Sequence, residues 1–360
     1  MQIKQILNFK KNTLTLFYVV FLGLSSFSAF AQNTGHTQLA EGSEHHEEAF
    51  NPAEAIIEHI SDSHGWHLWG HTTLHLPVIL YTNKGMETFS SSQFGHGEKA
   101  YSGKYYTYKL EKNKVKIIDG SGQIDEAATK KLFDISITKN VASLWLSILI
   151  ILLVFFTVAA SYRKRVGKAP KGLQSFIEPL VVFIRDEIAK PNIGYKYERF
   201  MPLLLTFFFF ILVNNLMGLV PFFPGGANVT GNIAVTFVLA GITMLVTNFS
   251  ANKYYWKHIF LPSTPKWLYP IMWPVEIIGI FSKPVALMIR LFANITAGHI
   301  IVLALISIIF VFKSVYVAPA SVLFVVFMDV IELLVAFLQA YIFTLLSALF
   351  IGSAIEEHHH

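Results

Sequence analysis

Long apolar runs separated by short polar segments dominate the second half of the chain. Three of these runs have about the length that a helix needs to cross about 30 Å of hydrocarbon, and two runs near the C-terminus are about twice as long. The runs occupy residues 141–161, 200–220, 229–248, 268–312 and 317–354. The pattern therefore predicts a mainly α-helical, polytopic membrane protein with about five membrane helices.

The two C-terminal runs are too long to stand upright in a bilayer. At about 1.5 Å per residue they would extend roughly 67 Å and 55 Å as helices. We therefore expect a strongly tilted antiparallel hairpin. Its break is expected at residues 313–320, which contain Pro319, and kinks are expected at Pro274 and Pro284.

A further segment has apolar residues at helical spacing but carries too many charges for a membrane span. Its apolar positions are Phe176, Leu180, Phe183, Ile184 and Ile188, and its charged positions are Glu178, Arg185, Asp186 and Glu187. Residues 171–190 are therefore expected to form one amphipathic helix at the membrane interface.

The start of the chain has the pattern of a secretory signal peptide. Residues 1–31 begin with Lys4, Lys10 and Lys11, continue with an apolar stretch at 14–24 and end in the small-residue sequence AFA. The alternative is a first membrane helix.

Residues 32–135 are polar and are expected to form a small, partly β extension outside the membrane. The sequence PVILYT predicts a strand that ends in a turn at residues 83–85. Alternating residues on either side of Lys112 and Asn113 predict a hairpin.

This extension is rich in histidine, and some of its histidines are four residues apart, a spacing that could hold a metal on one helical face. They are His36, His45, His46, His59, His64, His67, His71 and His75. No pattern is sustained, and acidic residues such as Glu47 and Glu48 are interspersed. A structural or solvating role is therefore favoured over a metal site, and we expect neither a metal nor a cofactor.

Composition and charge agree with a membrane protein. Of the 360 residues, 53% are hydrophobic and 14% charged, and the absence of cysteine excludes disulfides and thiolate chemistry. Basic clusters near residues 162–171 and 253–266 mark the cytoplasmic side by the positive-inside rule. The extension is then periplasmic, the break at 313–320 lies on the outer side, and the C-terminus is cytoplasmic, in a bacterial inner membrane.

The C-terminal hairpin carries polar side chains at regular intervals. Arg290 lies in an apolar run, where a guanidinium costs at least about 2.5–3.5 kcal/mol and cannot be neutralised by deprotonation. Glu276, Lys283 and Arg290 are seven residues apart and share one stripe of a helix. Glu332 and Gln339 repeat this interval on the partner helix.

Antiparallel packing places Arg290 and Gln339 at one depth, and His299 and Glu332 at a second level nearer the outer side. On an ideal helix His299 points about 180° from Arg290. The arginine can therefore face a partner protein while the histidine faces a neighbouring helix. The alternative is a charge-compensated packing core in which Glu332 neutralises His299.

The sequence RLFANITAGH, preceded by EIIGIFSKPVALMI and followed further on by LQAYIFTLLSALFIGSAIEEH, resembles subunit a of the F-type ATP synthase membrane sector. The resemblance covers roughly residues 135–360, and we place the membrane domain at 136–360. It implies that Arg290 is the essential stator arginine, that Asn294 and Gln339 flank it, that Glu276 lines the proton exit, and that His299 and Glu332 line the proton uptake path.

Two positions depart from the family pattern. Many bacterial relatives carry an acid at the position of His299 and a histidine at that of Glu332, so the pair is exchanged here. Gly218 stands where some relatives have an acid, and we assign it no role.

The resemblance implies a proton-conducting stator subunit that supplies two half-channels to the carboxylates of a rotor ring. The expected partners are the rotor ring of c subunits, the peripheral-stalk b subunits and, through the stalk, the soluble ATPase sector, together with the lipid bilayer and protons. No nucleic acid is expected. Because no GxxxxGK[ST] sequence occurs, the complex, and not this chain, is the expected enzyme.

Two other classes of function stay open. A secondary transporter could use Arg290 to bind an anionic substrate, although inverted repeats and broken helices would then be expected. A sensor or scaffold built on the extension would leave the intramembrane stripe unexplained.

Overall fold

The computed structural model describes six stretches of the chain. These are residues 52–69, 72–97, 99–220, 225–261, 264–312 and 316–356. The predicted signal peptide at 1–31, the histidines before residue 52, His71 and the C-terminal histidines lie outside the described residues.

Short strands and tight turns build a small N-terminal domain. Its strands are β1 (Gly65–Trp69), β2 (Thr72–His75), β3 (Pro77–Thr82), β4 (Gly85–Ser90), β5 (Tyr101–Ser102), β6 (Thr107–Glu111), β7 (Lys114–Ile118) and β8 (Phe133–Asp134). They form three antiparallel sheets with the orders β1–β2, β4–β3–β8 and β5–β6–β7. Helix α1 (Pro52–Ile60) precedes the strands, and a 3-10 turn (Ser91–Gly97) and helix α2 (Glu126–Thr129) lie between them.

Both predicted turns of this domain are present. Strands β3 and β4 enclose Asn83 and Lys84. Strands β6 and β7 enclose Lys112 and Asn113, whose φ angles of 48° and 61° belong to the two-residue hairpin turn that matches the strand twist. The buried core of the domain contains Val78, Leu80, Phe94, Tyr108, Val115 and Ile117.

Within the described residues, five helical segments are long and apolar enough to cross a membrane. They are α3 (Lys139–Lys164), a composite segment (Leu173–Leu219), α7 (Ile233–Ser250), α9 (Tyr269–Phe312) and α10 (Ala318–Ile355). The composite consists of α4 (Leu173–Phe183), a π turn (Ile184–Ala189), α5 (Lys190–Ile193), a 3-10 turn (Gly194–Lys196) and α6 (Tyr197–Leu219). The short helix α8 (Lys253–Phe260) and a 3-10 turn (Lys266–Leu268) connect α7 to α9. The predicted polytopic α-helical fold is confirmed.

The two long helices begin and end within one residue of the limits expected from hydropathy. The prediction for Pro319 is wrong in one respect, since this residue lies in the first turn of α10 and not in the break. A proline is tolerated there because the first N–H groups of a helix have no intrahelical acceptor. Helix α9 remains helical through Pro274 and Pro284.

The amphipathic segment buries the predicted face except at Phe176. Ile184 and Ile188 are fully buried, but Phe176 is 68% exposed and its neighbour Ile177 is buried. Ile177 and Ile184 are seven residues apart and share a face, whereas Phe176 lies about 100° away. The segment also runs on into α6, so that it belongs to a longer helical composite.

Helix α6 lies at the centre of the membrane part. In the most apolar stretch of its composite, 72% of the residues are buried within the chain, compared with 6% in α9 and 17% in α10. Its buried face includes Leu204, Phe207, Phe208 and Ile211, and it packs against α3 and α10. The long helices therefore expose most of their apolar surface to lipid or to another protein.

Hydrogen bonds define two sides of the membrane part. The Trp66 indole N–H of the N-terminal domain donates to Gly225 O over 3.1 Å, which places the α6–α7 loop on what we call the N-domain side. On the other side, Asn252 N donates to Ala354 O over 2.8 Å, so the ends of α7 and α10 meet there. We call this the C-terminal side.

Candidate functional site

Arg290 lies in the middle of α9 with its side chain exposed, and Asn294 is exposed one turn further on. The neighbouring face of α9 is buried through Pro284, Leu287 and Leu291. No carboxylate among the residues that the structure describes forms an ion pair with Arg290. The guanidinium therefore points away from the core of the chain and carries its charge on an outward surface.

The other two members of the predicted stripe lie towards the C-terminal side. Glu276 is partly buried, and its Oε1 atom is 3.9 Å from Nδ1 of His258 on α8. Burial raises the pKa of the nearby Tyr255 phenol, and the charge of Glu276 raises it further. Lys283 is exposed, with its Nζ atom 5.7 Å from the centre of the Phe350 ring. Glu276 thus lies close to α8, near the C-terminal side of the membrane part.

A narrow cavity lies between α7, α8, α9 and α10 on the same side. Its lining includes Thr247, Asn248, Tyr255 and Lys283. Thr247 Oγ1 and Asn248 Oδ1 are buried and have no hydrogen-bond partner among the described residues. Because buried polar atoms are normally satisfied by protein or by water, these atoms fit a site for bound water.

Sequence reasoning missed the α7 side of this cavity. Thr243 and Thr247 are buried one turn apart on α7, and the Thr243 hydroxyl lies 3.2 Å from the Ser347 hydroxyl of α10. The only signal for them was the spacing of Thr236, Thr243 and Thr247 along one face of the helix.

Glu332 and His299 lie at one level, as the antiparallel register predicts. Glu332 is buried on α10, and its Oε1 atom lies 2.8 Å from the place that a Cβ on Gly298 would occupy. Gly298 directly precedes His299 on α9. The glycine therefore lets the carboxyl group approach the backbone of the partner helix beside the histidine.

The His299 side chain also lies beside α6. Glu332 Oε1 has no hydrogen-bond partner among the described residues. The Nε2 atom of His299 lies 3.7 Å from a Cβ position built on Gly218, in the last turn of α6. The His299 ring is thus directed towards α6, and its neutralisation by Glu332, the alternative interpretation, stays a prediction. Gly218, to which the sequence analysis assigns no role, provides the space beside the imidazole.

Amide and hydroxyl groups connect α6, α10 and the loop before α7 close to this level. Asn215 Nδ2 donates to Ala336 O over 3.0 Å, and Asn215 Oδ1 accepts from the Thr230 hydroxyl over 2.7 Å. Gln339 lies three residues beyond Ala336 on α10 and is buried. Gln339 and Asn294 therefore differ in exposure, although the resemblance places both beside Arg290.

The histidines of the N-terminal domain do not form a metal centre in the part of the chain that is described, where no group of three potential ligands occurs. His64 is buried, and its Nε2 atom lies 3.2 Å from Asp134 Oδ2. Burial alone would raise the pKa of the Asp134 carboxyl, but hydrogen bonds from His64 and Ser136 and the charge of His64 hold it below its usual range. This pair stabilises the domain.

The fold and these side chains define a polytopic helical membrane protein that carries ionisable groups inside its spans, the class that moves ions. Residues 141–352 match the family described as ATP synthase A chain. Because this match covers more than half of the chain, the protein belongs to that family. Residues 55–135 match a domain of unknown function (DUF8433).

Several curated relatives are similar over the membrane part. An ATP synthase subunit a from Chloroherpeton thalassium is 53% identical over 233 residues, which are 63% of this chain and 69% of the relative. An ATP synthase subunit a 2 from Chlorobaculum tepidum is 52% identical over 230 residues, 62% of this chain and 64% of the relative. An ATP synthase subunit a from an Anaeromyxobacter species is 47% identical over 236 residues, 63% and 56% of the two chains.

Proposed function

We propose that this chain is the proton-conducting stator subunit of an F-type ATP synthase. Its membrane sector would lie in a bacterial inner membrane, with the N-domain side in the periplasm and the C-terminal side in the cytoplasm. The family membership supports the assignment to the complex. The basic residues that follow α3, Arg165, Lys168 and Lys171, support the orientation. The same membership favours this role over a secondary transporter.

The observation that carries the proposal is the exposed Arg290 on a membrane-length helix without an ion-pair partner among the described residues. A carboxylate on a passing rotor subunit would meet this charge. The guanidinium favours the ionised carboxylate and so expels its proton. Because arginine stays protonated, it also blocks a direct proton leak between the two half-channels.

The two polar regions on either side of Arg290 support separate half-channels. On the N-domain side, His299 and Glu332 would deliver protons to the rotor carboxylate. On the C-terminal side, the cavity at Thr247 and Asn248 would lead the released proton towards Glu276. Lys283, which lines this cavity and belongs to the stripe, lies about 10 Å from Arg290 along α9.

The proposed partners follow from the exposed surfaces. The apolar faces of α9 and α10 on either side of Arg290 and Asn294 fit a ring of c subunits. The α3 and α4 surfaces remain for the b subunits of the peripheral stalk, which connects to the soluble ATPase sector. Lipid would cover the rest.

Arg290→Lys tests this proposal. Lysine keeps a positive charge but replaces a planar group that stays charged with an ammonium that can lose its proton on burial. We expect proton-driven ATP synthesis in membrane vesicles to fall to background, while the complex still assembles with its c ring. Arg163→Lys, at the exposed end of α3, is the matched control and should keep normal synthesis. Synthesis near the wild-type rate in Arg290→Lys, with the control normal, would rule out the stator role of this residue.

A further inference from the structure

We propose that the N-terminal domain positions residues 225–232, here called the roof loop, over His299 and thereby controls proton uptake on the N-domain side. Trp66 is the positioning residue that makes this connection. The inference rests on the proposed function, since it assigns a task within the uptake path.

Trp66 joins the N-terminal domain directly to the roof loop. Its indole is 4% exposed and donates to Gly225 O over 3.1 Å, a bond between residues 159 positions apart in sequence. A buried indole N–H usually finds an acceptor, and this one fixes the direction of a loop carbonyl. A Cβ on Gly225 would lie 2.6 Å from Met217 O, so the loop turns back tightly against the end of α6.

The roof loop is also attached to the membrane helices below it. The Thr230 hydroxyl donates to Asn215 of α6 over 2.7 Å, and the Thr296 hydroxyl of α9 reaches Gly231 O at 3.5 Å. Ala227 and Val229 are each 1% exposed. The loop is therefore held from both faces, by the membrane helices on one and by Trp66 on the other.

The roof loop and the histidine meet at Gly218. A Cβ built on Gly218 would lie 3.6 Å from Ala227 O and 3.7 Å from His299 Nε2. A shift of the loop by the length of a hydrogen bond would change the space and the polar groups around the imidazole. Proton access to His299 thus depends on where the loop is held.

The domain that carries Trp66 is itself fixed to the first membrane helix. The Asp62 carboxylate accepts from Asn140 N over 3.0 Å, and Lys139 N donates to Ser63 O over 2.8 Å. Helix α1 of the same domain lies against α9. The domain therefore contacts α3, α9 and the roof loop, and Trp66 makes its hydrogen bond to the loop.

Trp66→Phe in the intact complex tests the inference. Phenylalanine keeps an aromatic ring but removes the N–H donor. ATP synthesis by reconstituted complexes would be measured against the pH of the N-domain-side compartment, at fixed membrane potential and fixed pH on the other side. We expect a roughly three- to tenfold lower rate when protons are scarce, the factor that corresponds to loss of one neutral hydrogen bond. The rate should approach wild type when protons are abundant.

Trp273→Phe is the matched control. The Trp273 indole N–H donates to Phe260 O over 2.9 Å, so the same group is removed from the same kind of bond on the C-terminal side. This variant should leave the dependence on N-domain-side pH unchanged.

A pH profile of Trp66→Phe that matches wild type would overturn the inference. So would rates that fall equally at every pH, because that result would make Trp66 a mere structural anchor. Trp66→Tyr is a second conservative variant, and failure of both variants to assemble would likewise show an anchoring role. If Arg290→Lys abolishes synthesis while Trp66→Phe is silent, only this inference fails. If Arg290→Lys is active, the proposed function fails first.

Discussion

Two glycines determine how closely Glu332 and His299 approach the neighbouring helices. The missing side chain of Gly298 brings the Glu332 carboxyl against α9, and that of Gly218 makes room for the imidazole beside α6. An ionisable group inside a membrane is costly unless it is paired or reaches water. Since Glu332 Oε1 has no hydrogen-bond partner in the described part of the chain, its position fits a site that water or a proton must reach.

Exchange of the two residues tests whether they work as one unit. His299→Glu alone places two acids at one level, which disfavours ionisation of both, and we expect slower proton pumping. Glu332→His alone removes the acid and should also slow pumping. The double variant, His299→Glu with Glu332→His, restores an acid and an imidazole at this level. We expect it to pump faster than at least one single variant, as measured by ATP-driven acidification of vesicles in a double-mutant cycle.

Strictly additive losses in this cycle would mean that the two residues act independently.

The sequence indicated Arg290, Glu276, His299 and Glu332 because charged groups in apolar runs are conspicuous. It indicated that His299 faces a neighbouring helix but not that this helix is α6. That orientation depends on Gly218, and a glycine leaves no hydrophobic or charge pattern from which its packing partner could be inferred.

At the scale of helices, hydropathy predicted the limits of α9 and α10 to within one residue. The hydroxyl groups that line the cavity were not predicted. Thr243 can satisfy its hydroxyl on the carbonyl of Leu239 in its own helix, and Thr344 does the same with Ala340. The composition of a helix therefore does not show which threonines also face a neighbouring helix.

Close approach of α10 to α5, within the α4–α6 composite, can be tested at Gly352. A Cβ there would overlap the carbonyl group of Asn192, a backbone atom that cannot rotate away. Gly352→Ala should therefore destabilise the packing of α10 by about 1–3 kcal/mol, as over-packing does elsewhere. The thermal midpoint of the detergent-solubilised complex would measure the effect.

Gly241→Ala is the control for this change. It places the same methyl group on α7 where nothing lies within 4 Å. This control should be neutral or slightly stabilising, because alanine favours a helix over glycine by about 0.5–1 kcal/mol. Equal midpoints in the two variants would mean that α10 does not approach Asn192 so closely.

At the scale of the whole molecule, charge and span count predicted which loops share a side. The Trp66–Gly225 bond places the N-terminal domain beside the α6–α7 loop, as five alternating crossings require. The Asn252–Ala354 bond likewise joins the ends of α7 and α10. The docking of the domain on the roof loop could not be predicted, because it depends on one tryptophan among the 6 of the chain and on a backbone carbonyl.

The absolute orientation is tested with topology reporters. A reporter fused after Ala354 should be active in the cytoplasm, and one inserted near Gly226 should be active in the periplasm. The reason is the positive-inside rule, since the basic residues after α3 and around α8 lie on the C-terminal side of the protein. Enzymatic reporters that are active in only one of the two compartments provide the measurement.

The structure constrains how the two reporters can disagree with this expectation. Because Trp66 and Gly225 are in contact, the N-terminal domain must lie in the same compartment as the Gly226 reporter. If both reporters are reversed, the fold stands and the whole molecule is inverted, which would also exclude an exported N-terminus. If both report the same compartment, the number of crossings between Gly226 and Ala354 would be even, and at least one of the three spans α7, α9 and α10 would be wrong.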